Sequence, residues 1–255
     1  MQKIIVVCGP TATGKSDYAV ELAKNPKICN NKGLTPQSDS VCGEIISADS
    51  RQVYRGLDIG SGKITKKEMR GITHHCLDIA NPKRVFSVSS YKKFADKAIK
   101  DIISRGKTPI ICGGTGFYID AVICDIAFPA VPPNKTLRKT LEKLSLEELQ
   151  NKLQKLDSRR FELVDQKNKV RLIRAIEIAT ALGSVPEINR KTNHNYAVEW
   201  MYLDFPDEVL KERIHKRLLK RMKTGMVKEV ESLHSEGISW KRLESFGLEY
   251  RYLAL

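Results

Sequence analysis

Eight residues near the N-terminus are equipped to hold phosphate. Gly9-Pro10-Thr11-Ala12-Thr13-Gly14-Lys15-Ser16 has the spacing G-x-x-x-x-G-K-S, in which glycines let the backbone curl until successive N–H groups face phosphate oxygens. Lys15 adds a point charge, and Ser16 offers a hydroxyl to Mg²⁺, the expected metal ion. The motif alone leaves open whose phosphate is held, ATP included. A second candidate is Asp49, which closes the strand-like run from Glu44 to Ala48 and opens Ser50-Arg51-Gln52. An acid there suits three roles: Mg²⁺ ligand, general base toward an acceptor held beside the phosphate, or N-cap of the next turn. Thr115, behind Gly113-Gly114, carries a hydroxyl suited to orienting an acceptor. Arg213, Arg217 and Arg221 recur every four residues. They read as a diphosphate clamp or as a solvated helix face, and the pattern alone favours the face. Lys167, Lys169, Arg171 and Arg174 pose the same choice between a nucleic-acid grip and mere solubility.

Such residues meet only if strands and helices deliver them to one place. Ile4 to Cys8 is an apolar run before the phosphate loop, and Ser16 to Lys24 carries a helical period with Tyr18, Ala19, Leu22 and Ala23 apolar. Strand texture recurs at Glu44–Asp49 and Pro109–Cys112, with a helix over Ser89–Arg105 and a short one over Phe117–Asp125. This alternation predicts an α/β fold: a parallel sheet carrying the phosphate loop, with helices on both faces. In such sheets ligands bind beyond the carboxyl ends of the strands, so the loops at Gly9, Asp49 and Gly113 should converge on one crevice. After Phe128 only helical patterns follow until Val198–Asp204. The expected organisation is therefore 1–128 as the first part of the core, 129–196 as an all-helical insertion, and 197–255 as the completion of the core. That last part includes a basic helix over Asp207–Lys223, whose Leu210, Ile214 and Leu218 should face inward. Asn25–Gly43 reads as a surface loop without chemistry.

The composition is that of a soluble protein, and no apolar run reaches the ~18 residues of a membrane span. The chain enters its first strand at once, so no cleavable leader is expected, and a cytoplasmic monomer without membrane attachment is the expectation. The six cysteines make no metal-binding pattern and read as small buried hydrophobes in a reducing compartment. A net charge of +14 exceeds what a small anionic substrate needs and suggests a polyanionic partner.

Several blocks together resemble the tRNA dimethylallyltransferase family. They are the phosphate loop, Ile46 through Gly60, His74-His75-Cys76-Leu77-Asp78-Ile79, Gly113 through Tyr118, Val170 through Ala175, Arg213-Ile214 through Arg217, and Gly247-Leu248-Glu249-Tyr250-Arg251. They occur in order over nearly the whole chain. The resemblance implies transfer of a dimethylallyl group from dimethylallyl diphosphate to N6 of the adenosine beside the anticodon, with Mg²⁺. It implies that the phosphate loop cradles the diphosphate with help from Arg217 and Arg213, that Asp49 is the base, and that Thr115 bonds near the reacting amine. It further implies tRNA contacts at Asp49, Ser50, Arg51 and Gln52, at Val170, Arg171, Leu172, Ile173 and Arg174, and at Gly247, Tyr250 and Arg251. The helical insertion would grip the anticodon stem. Rival readings are a phosphate-loop kinase of a small metabolite, an isopentenyltransferase acting on free adenine nucleotides, and a tRNA-binding remnant without catalysis. Two departures from the family pattern stand out: a longer stretch at Asn25–Gly43, and an end at Leu255 where members generally continue through another helix. Intact diphosphate binding with weakened tRNA affinity is the expectation from the second.

Overall fold

The computed structural model describes residues 1–29, 41–188 and 195–254; most of the expected surface loop within Asn25–Gly43 lies outside the described residues. The chain divides into two compact units, Met1–Asp125 with Arg190–Leu255, and Ile126–Asn189.

Among the described residues the first unit is built on five strands, β1 (Gln2–Cys8), β2 (Gly43–Ser47), β3 (His74–His75), β4 (Thr108–Cys112) and β5 (Tyr196–Tyr202). They lie in the order β3-β2-β4-β1-β5, and every neighbouring pair is parallel. Both sheet faces are covered, which explains why the inner strands are continuous apolar runs rather than alternating ones. Ile4, Val6, Ile46 and Ile111 pack on one face against α3 (Val88–Ser104) and α4 (Gly116–Ile123). Ile5, Val7, Ile45 and Ile110 pack on the other against α1 (Lys15–Lys24). A short α2 (Lys66–Met69) precedes β3 and opens with a capping box, Thr65 and Glu68. Ser87 starts α3 by accepting the Ser90 amide at 3.1 Å.

The second unit is all helical: α5 (Lys135–Leu141), α6 (Leu146–Leu156), α7 (Ser158–Leu163) and α8 (Lys169–Leu182). Leu149 and Leu153 of α6 close a core with Leu172, Ile176 and Ala179 of α8. Its buried carboxylate, Glu177, is held by Arg138, Arg174 and the Asn134 amide. The chain then returns through β5 to α9 (Asp207–Lys223), α10 (Met226–Ser235), α11 (Trp240–Phe246) and α12 (Leu248–Leu253). Among the described residues no helix is long and apolar enough to cross a membrane.

The expectation that the cysteines are small buried hydrophobes in a reducing compartment is corrected for two of them. Cys29 and Cys42 form a disulfide, their Cα atoms 4.7 Å apart. The backbone brings them together because Cys29 ends a 3₁₀ turn at Pro26–Ile28 while the Cys42 amide donates to Ala23 O.

Candidate active site

The carboxyl ends of β1, β2 and β4 open into a single cleft of ≈ 1270 Å³. The phosphate loop, Asp49 to Gln52, Gly113 to Thr115, Arg213 and Arg217 all line it. Among the loop residues the exception is Thr13, which is buried and donates from Oγ1 to Pro10 O at 3.0 Å. It braces the curl from inside.

The curl requires its glycines for two different reasons. Gly14 stands at φ 82 as the N-cap of α1, and Gly9 combines φ 144 with a close approach that would leave a Cβ 2.0 Å from Leu203 O. Ala12, at φ 65, adopts the left-handed conformation without a glycine's freedom. Lys15 folds back onto the loop, donating to Pro10 O and to Thr13 Oγ1. Burial pulls its pKa below the ordinary lysine range.

Asp49 and Thr115 are locked by the two loops they sit on. Asp49 Oδ1 accepts the Arg51 amide at 2.7 Å and the Gln52 amide at 3.2 Å. The capping role is thus real, and it occupies one carboxylate oxygen; Oδ2 takes neither bond. Thr115 Oγ1 accepts the Ser50 amide at 3.0 Å, and the Thr115 amide donates to Ala48 O at 3.1 Å. Gly113 makes the crossing possible, because a Cβ there would stand 2.2 Å from Ala48 O. The Thr115 hydroxyl keeps its proton and a second lone pair for a ligand.

The α9 stripe is both partly solvated and turned to the loop: Arg213 is exposed, while Arg217 and Arg221 are half-buried. Arg217 Nη2 donates to Thr11 Oγ1 at 2.7 Å, Arg213 Nη1 reaches Ala12 O at 3.4 Å, and Arg213 stacks on Phe205 at 4.1 Å. Burial, followed by the neighbouring Arg221 charge, pulls the Arg217 pKa down. The inward stripe also differs from expectation: Leu210 is buried, but Ile214 and Leu218 are 38% and 37% exposed. They line the cleft with Met222 and Met226 as an apolar wall. Helical period tells which residues share a face, not what that face meets.

Ser16 is exposed at the start of α1. A pocket of ≈ 20 Å³, lined in part by Ser16, Ser47, Gln52 and His74, adjoins it, with room for about one water. Among the described residues no cluster of three or more His, Cys, Asp or Glu side chains forms a metal cage. This donor set fits Mg²⁺, which keeps its waters and is commonly held by few protein ligands plus substrate phosphates.

The resemblance-based contact residues divide. Ser50, Arg51, Gln52 and Gly247 line the cleft. Val170, Arg171 and Arg251 are exposed. Leu172 and Ile173 are core of the helical unit, so their expected role as contacts is corrected. Arg174 is committed to Glu177 and Val131 O, and Lys169 to Glu142 O and Leu144 O. Tyr250 is also corrected: its ring packs where a Cβ on Gly60 would stand 2.6 Å away, and its hydroxyl donates to Glu229 at 2.7 Å. Sequence reasoning missed Glu229 altogether. Its carboxylate accepts the Asp58, Ile59 and Gly60 amides at 3.0, 2.6 and 3.0 Å, fixing the loop whose Ser61 and Gly62 line the cleft. No local pattern announces a bond across 170 positions.

Sheet and loop define a phosphate-loop α/β protein with a cleft at the carboxyl ends of its strands. A model of the IPP transferase family matches residues 52–254. tRNA dimethylallyltransferase 2 of Treponema denticola is 44% identical over 253 residues, 98% of this chain and 80% of the relative. The full-length tRNA isopentenylpyrophosphate transferase of Bacillus halodurans is similar in structure, with a TM-score of 0.60 and 33% identity over 93% of this chain and 72% of that one. A eukaryotic dimethylallyltransferase solved acting on tRNA shares the fold, with a TM-score of 0.75 and 23% identity over 96% of this chain and 60% of that one. The chain belongs to the IPP transferase family.

Proposed function

We propose that this protein transfers a dimethylallyl group from dimethylallyl diphosphate to N6 of the adenosine 3′ to the anticodon (position 37) of tRNA, releasing diphosphate. The observation that supports this most is the convergence of a phosphate loop, an aspartate and a threonine in one cleft whose arginines bend onto the loop. The diphosphate lies in the curl of Gly9–Ser16, met by Lys15, Arg213 and Arg217. The apolar wall of Ile214, Leu218, Met222 and Met226 receives the hydrocarbon. In the reaction the C1–O bond breaks, the electron pair leaves with diphosphate, and the N6–C1 bond forms. Asp49 takes the N6 proton on Oδ2, since Oδ1 is held by two amides. Thr115 orients the amine. Mg²⁺, held by Ser16 and the diphosphate, would neutralise charge on the leaving oxygens.

The acceptor base must leave its stack, which costs less in a loop than in a duplex. Ser50, Arg51 and Gln52 stand where it enters, and the exposed basic residues of the helical unit, Arg171 among them, serve phosphate contacts. The protein works as a monomer in the cytoplasm, where its RNA is. The test is transfer of labelled dimethylallyl groups to anticodon stem-loops carrying adenosine or guanosine at position 37. Adenosine alone should be modified, and Asp49→Ala should cut the rate by roughly 10²–10⁴ while leaving diphosphate binding in place. Undiminished transfer by Asp49→Ala removes the base assignment, and turnover of ATP in place of dimethylallyl diphosphate removes the reading altogether.

A further inference from the structure

Besides Asp17 and Asp49, a third acid, Glu249, lines a cleft whose loop and arginines suit an anion. Glu249 Oε1 accepts from Arg221 Nη1 at 2.8 Å, and the same nitrogen donates to Gly60 O at 3.1 Å. The pair is largely enclosed, with side chains 11% and 20% exposed for Arg221 and Glu249. Backbone confines the guanidinium further, because a Cβ on Gly62 would lie 1.8 Å from its Nη2. On charge alone Glu249 repels a diphosphate. Its second oxygen, Oε2, is buried with no hydrogen-bond partner among the described residues, an arrangement that costs free energy and asks for a reason.

The reason lies one helical turn away. Arg217 and Arg221 are four residues apart on α9, so their charges share a stripe. Arg217 holds Thr11 of the phosphate loop. After burial, the leading influences on its proton affinity are Arg221, which lowers it, and Glu249, which raises it. Lys15 adds a further cation in the same cleft. Asp49 acts on Arg217 in the same direction as Glu249, but its Oδ1 is held by the Arg51 and Gln52 amides, so Glu249 is the carboxylate ion-paired to the stripe itself.

We propose that Glu249 is a positioning residue for the α9 arginines: its carboxylate offsets the repulsion between Arg217 and Arg221 and keeps Arg217 on the phosphate loop. An acid thereby strengthens the binding of an anion. The inference rests on the reading of this cleft as a diphosphate site.

Calorimetry with inorganic diphosphate on the full chain separates the possibilities by sign. Simple removal of a negative charge predicts tighter binding by Glu249→Gln. Positioning predicts binding weakened roughly tenfold, the size typical when a supporting partner is lost, with partial recovery in Glu249→Asp. The KM for dimethylallyl diphosphate should rise in parallel while kcat stays within about twofold, a split that misfolding would not produce. Arg221→Gln removes the repulsion, so adding Glu249→Gln to it should change little. Binding by Glu249→Gln that is unchanged or tighter, with wild-type binding intact, overturns the inference and leaves the site standing. So does full additivity of the two substitutions. A wild-type protein that does not bind diphosphate overturns the site reading and the inference with it.

Discussion

Thr115 uses one oxygen for two purposes. It takes the Ser50 amide and so ties the loop after β4 to the loop after β2, and it presents the same hydroxyl to the cleft. Thr115→Ser keeps both functions and should retain transfer within a few-fold. Thr115→Val leaves the Ser50 amide unpaired, costs about 1–2 kcal/mol of stability, and should lower kcat roughly 10–100-fold. Steady-state kinetics and thermal melts on the two variants check this; equal activity would assign the hydroxyl to structure alone. The place of Asp49 and Thr115 at the cleft was legible in the sequence because each lies within three residues of a strand's carboxyl end, and strand ends in a parallel sheet point to one place. Tyr250 was not, because its burial depends on the bare backbone of Gly60, far away in the chain.

At the scale of an element, β2 carries chemistry beyond one end and stability at the other. Glu44, at its start, has a side chain 2% exposed and is bonded by Arg105, Lys107 and His75. Hydrogen bonding from Arg105 first, then the other partners, holds its pKa far below the usual carboxylate range. A depressed folded pKa means that the stabilisation is complete above the unfolded value of about 4.3 and fades as pH falls below it. Glu44→Gln should therefore cost about 2 kcal/mol at pH 7, moderated because Arg105 reaches solvent, with the gap to wild type closing toward pH 3. Chemical denaturation across that range measures it, and a gap independent of pH would be the contrary result. The alternation that revealed the sheet also placed α9 to the residue, since its period is long and regular. What it could not supply was the partner of each stripe, so Ile214 and Leu218 read as core and line a cleft instead. The same limit hid the disulfide, as Cys29 and Cys42 meet only once α1 and β2 are packed.

The whole molecule carries a net charge of +14, and its basic side chains are not all equally free to meet a polyanion. Lys169, Arg138 and Arg174 bond within the helical unit, whereas Arg171 is 65% exposed in its side chain and pairs with Asp165 at 3.6 Å. The two should separate in experiment. Arg171→Ala should reduce the salt dependence of tRNA binding by about one unit of slope and leave melting unchanged. Arg174→Ala should lower the melting temperature, because it uncovers Glu177, and shift the slope little. Filter binding over a salt series, beside thermal melts, decides between them. Finally, the loop that carries Ser61 and Gly62 to the cleft has its anchor in Glu229, and the strand beneath the phosphate loop has a neighbour in β5. Both partners follow the loops they support by more than 150 positions, so translation delivers the substrate-facing loops well before the segments that brace them, and each brace is added only when β5 and α10 have been made.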